Sequence, residues 1–347
     1  MSSELKVDNI SEKTTDGGIS ITDAKLNLKS YTTTQREALS PNEGDMVYDT
    51  TLNKAYIYTT EWEKIDSLPN WTASGGTKTT SGIYTIHTFT STATFVVQGG
   101  GSKDVEYLVI AGGGGGGYNR GGGGGAGGFR SSVIGENTGD GGTAESVVSL
   151  QAGTYGVTIG AGGASRNAGN NSVFDSNGVV STITSTAGGL GGSWTGAGGN
   201  GGSGGGGGGR DSGGAINGGS GTANQGNAGG ANRVAYASST AGGGGGASTG
   251  GGNAISTRGG LGGDGQASAI TGSSVTYAGG GGGGNDARGT SKTDAAGGSG
   301  GGGAGKSGQG GDGTANTGGG AGGGGFSGAS YEGGQGGSGI VIIRYQT

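Results

Sequence analysis

Apolar and polar residues alternate in short stretches over the first 110 positions, the period expected of half-buried strands. Residues 5–10 and 19–22 alternate in this way on either side of the turn signal Asp16-Gly17-Gly18. Thr34-Gln35-Arg36-Glu37 has the form of a capping box and predicts one short helix, which Pro41 stops. Residues 45–49 and 55–59 predict a hairpin turning over 50–54. Residues 83–90, 93–97 and 105–111 predict three more strands, separated by glycine clusters. A last strand is predicted at 340–345, where Ile340-Val341-Ile342-Ile343 is apolar without alternation. None of these apolar runs approaches the ~18 residues needed to cross a bilayer, and no signal-peptide core is visible near Met1. The expectation is a soluble protein that reaches the outside of a cell by lysis or assembly.

Between residues 111 and 339 the pattern changes. All but nine of the 101 glycines lie there, and no proline does. Average usage is about 7% glycine, so a conventional oily core cannot serve this zone. Runs of six occupy 112–117, 204–209 and 279–284, and runs of five occupy 121–125 and 242–246. Collagen is excluded, because no strict three-residue repeat runs through the zone. A flexible coil is one state open to such a composition. The other is a packed bundle of extended, left-handed polyglycine II-type helices. Such helices have three residues per turn and no internal hydrogen bonds, and a six-residue run would span roughly 19 Å. Their N–H and C=O groups would find partners on neighbouring helices. Order is favoured by the β-prone punctuation at residues 147–150, 155–159 and 179–184, and by the strands at 107–110 and 340–345 that bracket the zone. Pairing those two strands would tie the beginning of the glycine zone to its end.

Three segments follow from this reading. Residues 1–70 form a β-rich attachment and oligomerisation stem, residues 71–110 a β-rich collar, and residues 111–347 a glycine-rich head closed by the strand at 340–345. The stem is too small to bury much surface alone. It fits an intertwined oligomer.

Several ordered motifs carry a family resemblance. Gly82-Ile83-Tyr84-Thr85-Ile86-His87-Thr88-Phe89, Val105-Glu106-Tyr107-Leu108-Val109-Ile110, Gly125-Ala126-Gly127-Gly128-Phe129-Arg130, Tyr155-Gly156-Val157-Thr158-Ile159 and Gly339-Ile340-Val341-Ile342-Ile343-Arg344-Tyr345 resemble a glycine-rich domain found in phage proteins, over about residues 78–346. Thr33 to Pro41 with Gly44 to Lys54 resembles a short segment of phage tail-fibre proteins. A more distant similarity is to the glycine-rich tip adhesins of T-even-like phages. The resemblance implies a virion appendage, a trimer as such fibres generally are, and distal loops that attach to the host on a polyglycine scaffold.

Charge and composition narrow the chemistry. A net charge of −5, from 19 basic and 24 acidic residues, argues against a general nucleic-acid binder. Absence of cysteine removes disulfides and thiolate metal sites. Gly300 to Ser307 fits the P-loop spacing, but no helix can follow it, so nucleotide binding is not expected. Gly262-Gly263-Asp264-Gly265 and Gly310-Gly311-Asp312-Gly313 lack the nine-residue aspartate period of calcium β-rolls. The lone His87 lies in an alternating strand and reads as structural, and no catalytic constellation stands out. No cofactor and no metal is expected.

The candidate contact residues are those that interrupt the glycine runs with aromatic, amide and guanidinium groups. They are Tyr118-Asn119-Arg120, Trp194, Arg233 with Tyr236, and Asn285-Asp286 with Arg288. Planar guanidinium groups beside aromatics suit sugars, phosphates or protein, whereas Trp194 could equally cap the bundle. The sequence therefore leads to the expectation of a virion-surface fibre protein, mostly β and irregular and not an enzyme. Its expected partners are two further copies of itself, other virion proteins through the stem, and a host glycan or protein, without nucleic acid or membrane insertion. A decoration fibre without a receptor is the alternative.

Overall fold

The structure is a computed structural model, and it describes residues 28–65, 71–175, 181–288 and 292–347. The strands expected at 5–10 and 19–22 lie outside the described residues. The chain divides into two compact units, Met1–Leu68 and Pro69–Thr347.

In the first unit, β1 (Ser30–Tyr31) pairs parallel with β2 (Met46–Asp49), which forms a hairpin with β3 (Lys54–Tyr58), and β4 (Trp62–Lys64) adds to its far edge. The helix α1 (Thr33–Glu37) begins earlier than the sequence suggested. The capping box is formed by Thr32 and Gln35, each side chain accepting from the other's backbone N–H, and not by Thr34 and Glu37. Both pairs have the required three-residue spacing, and the neighbouring strand decides between them. Thr33 Oγ1 is thereby free to donate to Asp49 at 3.1 Å. Buried Asp49 also receives Arg36 Nε at 3.0 Å and the amides of Thr51 and Leu52. The Arg36 guanidinium lies 4.0 Å from the centre of the Tyr56 ring. Among the described residues of this unit, the buried hydrophobic side chains are Val47 and Tyr56.

The second unit is built on two sheets. One has the order β10 (Phe129–Ser131), β9 (Lys103–Ile110), β17 (Ile340–Gln346), β7 (Tyr84–Phe89), β6 (Thr77–Ser81), with β11 (Val148–Leu150) pairing alongside β10 on β9. The other has the order β14 (Ile183–Ser185), β13 (Ser172–Asp175), β12 (Gly153–Thr158), β8 (Ala93–Gln98), β5 (Thr72–Ser74). The expected pairing is present, since β17 lies antiparallel to β9 with Ile340 opposite Ile110 and Ile343 opposite Tyr107. Residues 71–110 share their sheets with residues 129–185 and 340–346, within this one unit.

The continuous apolar run of β17 reflects burial on both faces. Val341, Ile343 and Tyr345 pack with Phe89, Phe95, Tyr107, Tyr155 and Phe174 between the sheets. Ile340 and Ile342 face the other way, with Ile86, Leu108, Phe129, Ile270 and Tyr277. There the hairpin of β15 (Gln266–Ser268) and β16 (Val275–Tyr277) covers the sheet. His87 is fully buried between these elements. Its Nδ1 lies 2.7 Å from the Gly75 carbonyl, which can only accept, so Nδ1 carries the proton and Nε2 accepts from Tyr345 Oη at 3.3 Å.

The glycine runs leave the sheets as extended, buried segments outside helix and strand, and their hydrogen bonds have a clear order. Gly112 and Gly115 donate to Asn170 and Asn167, Gly113 and Gly116 to Gly337 and Gly334, and Gly114 and Gly117 to Gly125 and Gly122. The partner segment thus changes at each residue and returns every third. The same period holds in the run at 203–209, where positions 203, 206 and 209 donate to Ala126, Gly123 and Arg120, while 204 and 207 donate to Asn227 and Gly230. Each run is held from three directions by other extended segments. A side chain has no room there: a Cβ at Gly123 would lie 2.5 Å from the Gly281 carbonyl carbon and nearer still to its oxygen.

Candidate binding surface

The runs share a register, so their turns gather at two ends. At the sheet end stand Ala111, Phe129 and Ala278, which lead into or out of the strands. At the other, the loop end, the chain reverses at 118–120, 164–167, 193–196, 210–215, 232–240, 253–258, 306–308 and 326–332, and residues 285–288 and 292–294 lie there too. All nine contact candidates lie on these loops.

The tightest turn joins Gly117 to Gly121 through Tyr118-Asn119-Arg120. Asn119 and Arg120 both adopt the left-handed region, with φ of 52° and 59°. Trp194 (φ 37°), Arg166 (68°) and Ala237 (53°) do so on neighbouring loops. Such conformations cost about 1–3 kcal/mol each and persist where surrounding contacts over-determine them. The contacts at Arg120 are explicit. Its Nη1 donates to Asp211 at 2.8 Å and to Asp286 at 3.2 Å. Its guanidinium carbon lies 5.2 Å from the ring centres of both Trp194 and Phe326.

Arg288 completes the cluster. It bonds Asp286 at 2.6 Å and Asp211 at 2.8 Å, and lies 4.9 Å from the Phe326 ring centre. Burial works against the charge on Asp211, but hydrogen bonds from Arg288 and Arg120 prevail and hold its carboxyl below the ordinary value. Hydrogen bonding to Asp286 raises Arg288 in turn. Four charges and two rings are therefore locked together across five loops.

The candidates separate by exposure. Asn119, Arg120, Asn285 and Asp286 are buried and spend their polar groups inside the molecule. Asn285 accepts from the Gly259 amide at 2.6 Å and donates to the Thr293 carbonyl at 3.0 Å. Trp194 and Tyr236 are exposed, Tyr236 to 82%. Tyr118 is half-buried against the Arg166 guanidinium at 5.3 Å, and Arg166 pairs with Glu332 at 3.0 Å. Arg233 forms a two-residue ladder with Thr240 that presents Tyr236 at its tip. Sequence reasoning passed over Asp211, Phe326 and Lys292. Asp211 directly follows Arg210, which ends a glycine run, and Phe326 ends one itself, which is the signal that could have found them; Lys292 carries no such signal.

A concavity of about 500 Å³ lies near the sheet end, lined among others by Tyr84, Lys103, Asp104, Glu106, Arg344 and Tyr345. There Arg344 bonds Glu106 and lies 4.4 Å from the Tyr84 ring centre, and Lys103 donates to the Gln346 carbonyl. Among the described residues no group of three or more His, Cys, Asp or Glu could hold a metal ion, and no helix is long and apolar enough to cross a membrane.

Residues 73–346 match the model of a family described as a glycine-rich domain. No curated protein matches the chain.

Proposed function

Starting from a chain that belongs to the glycine-rich domain family, we propose that this protein is a virion-surface fibre component, a phage adhesin that attaches to the host through its loop end. The observation that carries this reading is the gathering of the arginine and lysine interruptions of the glycine runs, all but Arg130, with Tyr118, Trp194, Tyr236 and Phe326, at one end of the second unit. The other end is occupied by sheets. A rigid scaffold that displays variable-length loops at one end is how binding residues are commonly presented.

In this reading the glycine runs are polyglycine II-type helices. The three-residue period of hydrogen-bond partners supports that geometry. Arg120, Asp211, Asp286 and Arg288 fix the loops, and Trp194 and Tyr236 touch the receptor. The first unit joins the protein to other virion proteins and trimerises, consistent with its small core. No catalytic role, cofactor or nucleic-acid partner is proposed.

The test is attachment of the fluorescently labelled full chain to a panel of bacterial strains. Binding to particular strains, weakened by Trp194→Ala together with Tyr236→Ala, is the expected result. If no strain is bound, the propagation host included, a structural decoration fibre without a receptor replaces the adhesin.

A further inference from the structure

The two ends of the glycine-rich zone differ in charge. Of the nine Lys and Arg in residues 111–339, all but Arg130 lie on the loop-end turns. Only four of the ten carboxylates accompany them: Asp211, Asp286, Asp294 and Glu332. The loop end is thus basic by four charges in a chain whose net charge is −5.

Pairing sharpens the imbalance. Arg120, Arg166 and Arg288 are matched by Asp211, Asp286 and Glu332. Arg210, Arg233, Arg258, Lys292 and Lys306 have no carboxylate partner among the described residues. The side chains of Arg210, Arg258 and Lys292 donate to carbonyls and a hydroxyl, as in Lys292 Nζ on Ser238 Oγ at 2.8 Å and Arg258 Nη1 on the Gly259 carbonyl at 3.2 Å.

Two of these cations meet at one hairpin, where Arg233 is bridged to Thr240 and Lys292 Nζ bonds the carbonyl and the hydroxyl of Ser238. Burial, and after it the charge of Arg233, lower the pKa of Lys292, and Asp286 opposes them. Arg233 Nη1 is without a hydrogen-bond partner among the described residues, and an unsatisfied donor of this kind costs about 1–3 kcal/mol. Two like charges with no carboxylate partner, beside exposed Tyr236, attract an anion.

We infer that the loop end binds an anionic glycan polymer, whose phosphate or carboxylate groups are received by Arg233 and Lys292. The inference rests on the adhesion reading and names its receptor class. Free cations on several adjacent loops suit repeating charges better than a single one. The exposed rings of Tyr236 and Trp194 offer flat apolar faces to sugars between the charges.

The experiment measures binding of the full chain to polyphosphate, polygalacturonate, neutral dextran and a DNA duplex, beside attachment to a strain already shown to bind it. At least one of polyphosphate and polygalacturonate binds and dextran does not, and which of the two binds tells phosphate from carboxylate. With about three groups neutralised, affinity falls roughly 20- to 40-fold between about 50 and about 200 mM salt. Arg233→Gln with Lys292→Gln weakens binding about tenfold or more, whereas Lys78→Gln at the sheet end leaves it unchanged. Lys292→Gln alone serves where the double variant melts early, because its partners are serine groups and not a buried carboxylate. The inference is overturned if neither polyanion binds, if the variants bind like the native chain, or if DNA binds more tightly than both, in which case a nucleic acid takes the glycan's place. Cell attachment that persists in salt and polyanion also overturns it while leaving adhesion standing, whereas failure to find any attached strain sinks adhesion itself.

Discussion

Replacing Gly123 by alanine tests the packing of the glycine runs directly. The added methyl would overlap the Gly281 carbonyl, with its carbon 2.5 Å from the carbonyl carbon and 2.9 Å from the Gly244 nitrogen. Those are backbone atoms, so no side chain can swing aside. The Gly281 oxygen accepts from the Gly244 amide at 2.8 Å, and that bond must stretch or break. A strained buried insertion costs about 1–3 kcal/mol, and a spoiled buried hydrogen bond about 1–3 kcal/mol more. Stiffening of the unfolded chain returns only about 0.4–1 kcal/mol. The net expectation is a loss of roughly 2–5 kcal/mol. At about 2–4 °C per kcal/mol for a unit of this size, the melting temperature falls by roughly 5–20 °C. Gly308→Ala is the matched control, because its Cβ meets nothing within 4 Å, and it should leave stability unchanged or raise it slightly. Calorimetry of the two full-length variants decides. A Gly123→Ala protein that melts with the native one would refute the close-packed arrangement of runs.

Three further outcomes follow from named contacts. Asp286→Asn removes a fully buried carboxylate from Arg120 and Arg288, and a broken buried pair costs about 3–5 kcal/mol; because Asp211 still serves both arginines, the loss read by denaturant titration should fall at the low end of that range. Burial holds His87 below its ordinary pKa, so the unfolded chain binds the proton more readily. Stability contributed there is complete above about pH 6.5 and is lost as pH falls through the folded value; a His87→Gln variant whose melting curve keeps the full native pH dependence between pH 7 and 5 would contradict this. Trp194→Ala should change the melting temperature by less than Gly123→Ala does, since the ring is 46% exposed, and a larger loss would make Trp194 a cap and not a contact residue.

What could be read from the sequence was whatever non-glycine residues encode. The hairpin of β2 and β3, the strands β7 to β9 and the closing strand β17 carry β-branched and aromatic residues, and β17 declared its two buried faces through the unbroken Ile340 to Ile343. The position of the loops was legible as well, because each loop-end turn falls where polar, aromatic or charged residues interrupt a glycine run, whereas single apolar interruptions such as Leu190 and Ala321 stay within the runs. The partners of each run were not legible. Six identical glycines hold no register of their own, so the pairing of Gly123 with Gly242 and Gly206 is set by distant stops such as Ala126, Ser203 and Ala247. The ion cluster was hidden for the same reason. Arg120 lies 91 residues from Asp211 and 166 from Asp286, and only the shared register of the runs brings them together. Burial then assigned roles that residue type could not, with Asn285 and Asp286 turned inward and Tyr236 outward.

The position of β17 also sets an order on the making of this protein. Its seven residues follow every glycine run, yet they lie between β7 and β9 in the middle of the sheet. Until the ribosome has released residue 346, β7 and β9 have an empty lane between them, and Phe89, Leu108 and Ile110 stand without the side chains that cover them. The runs that hang from that sheet must wait in the meantime, although they have already been made. A chain cut short before Ile340 would be left with two open strand edges.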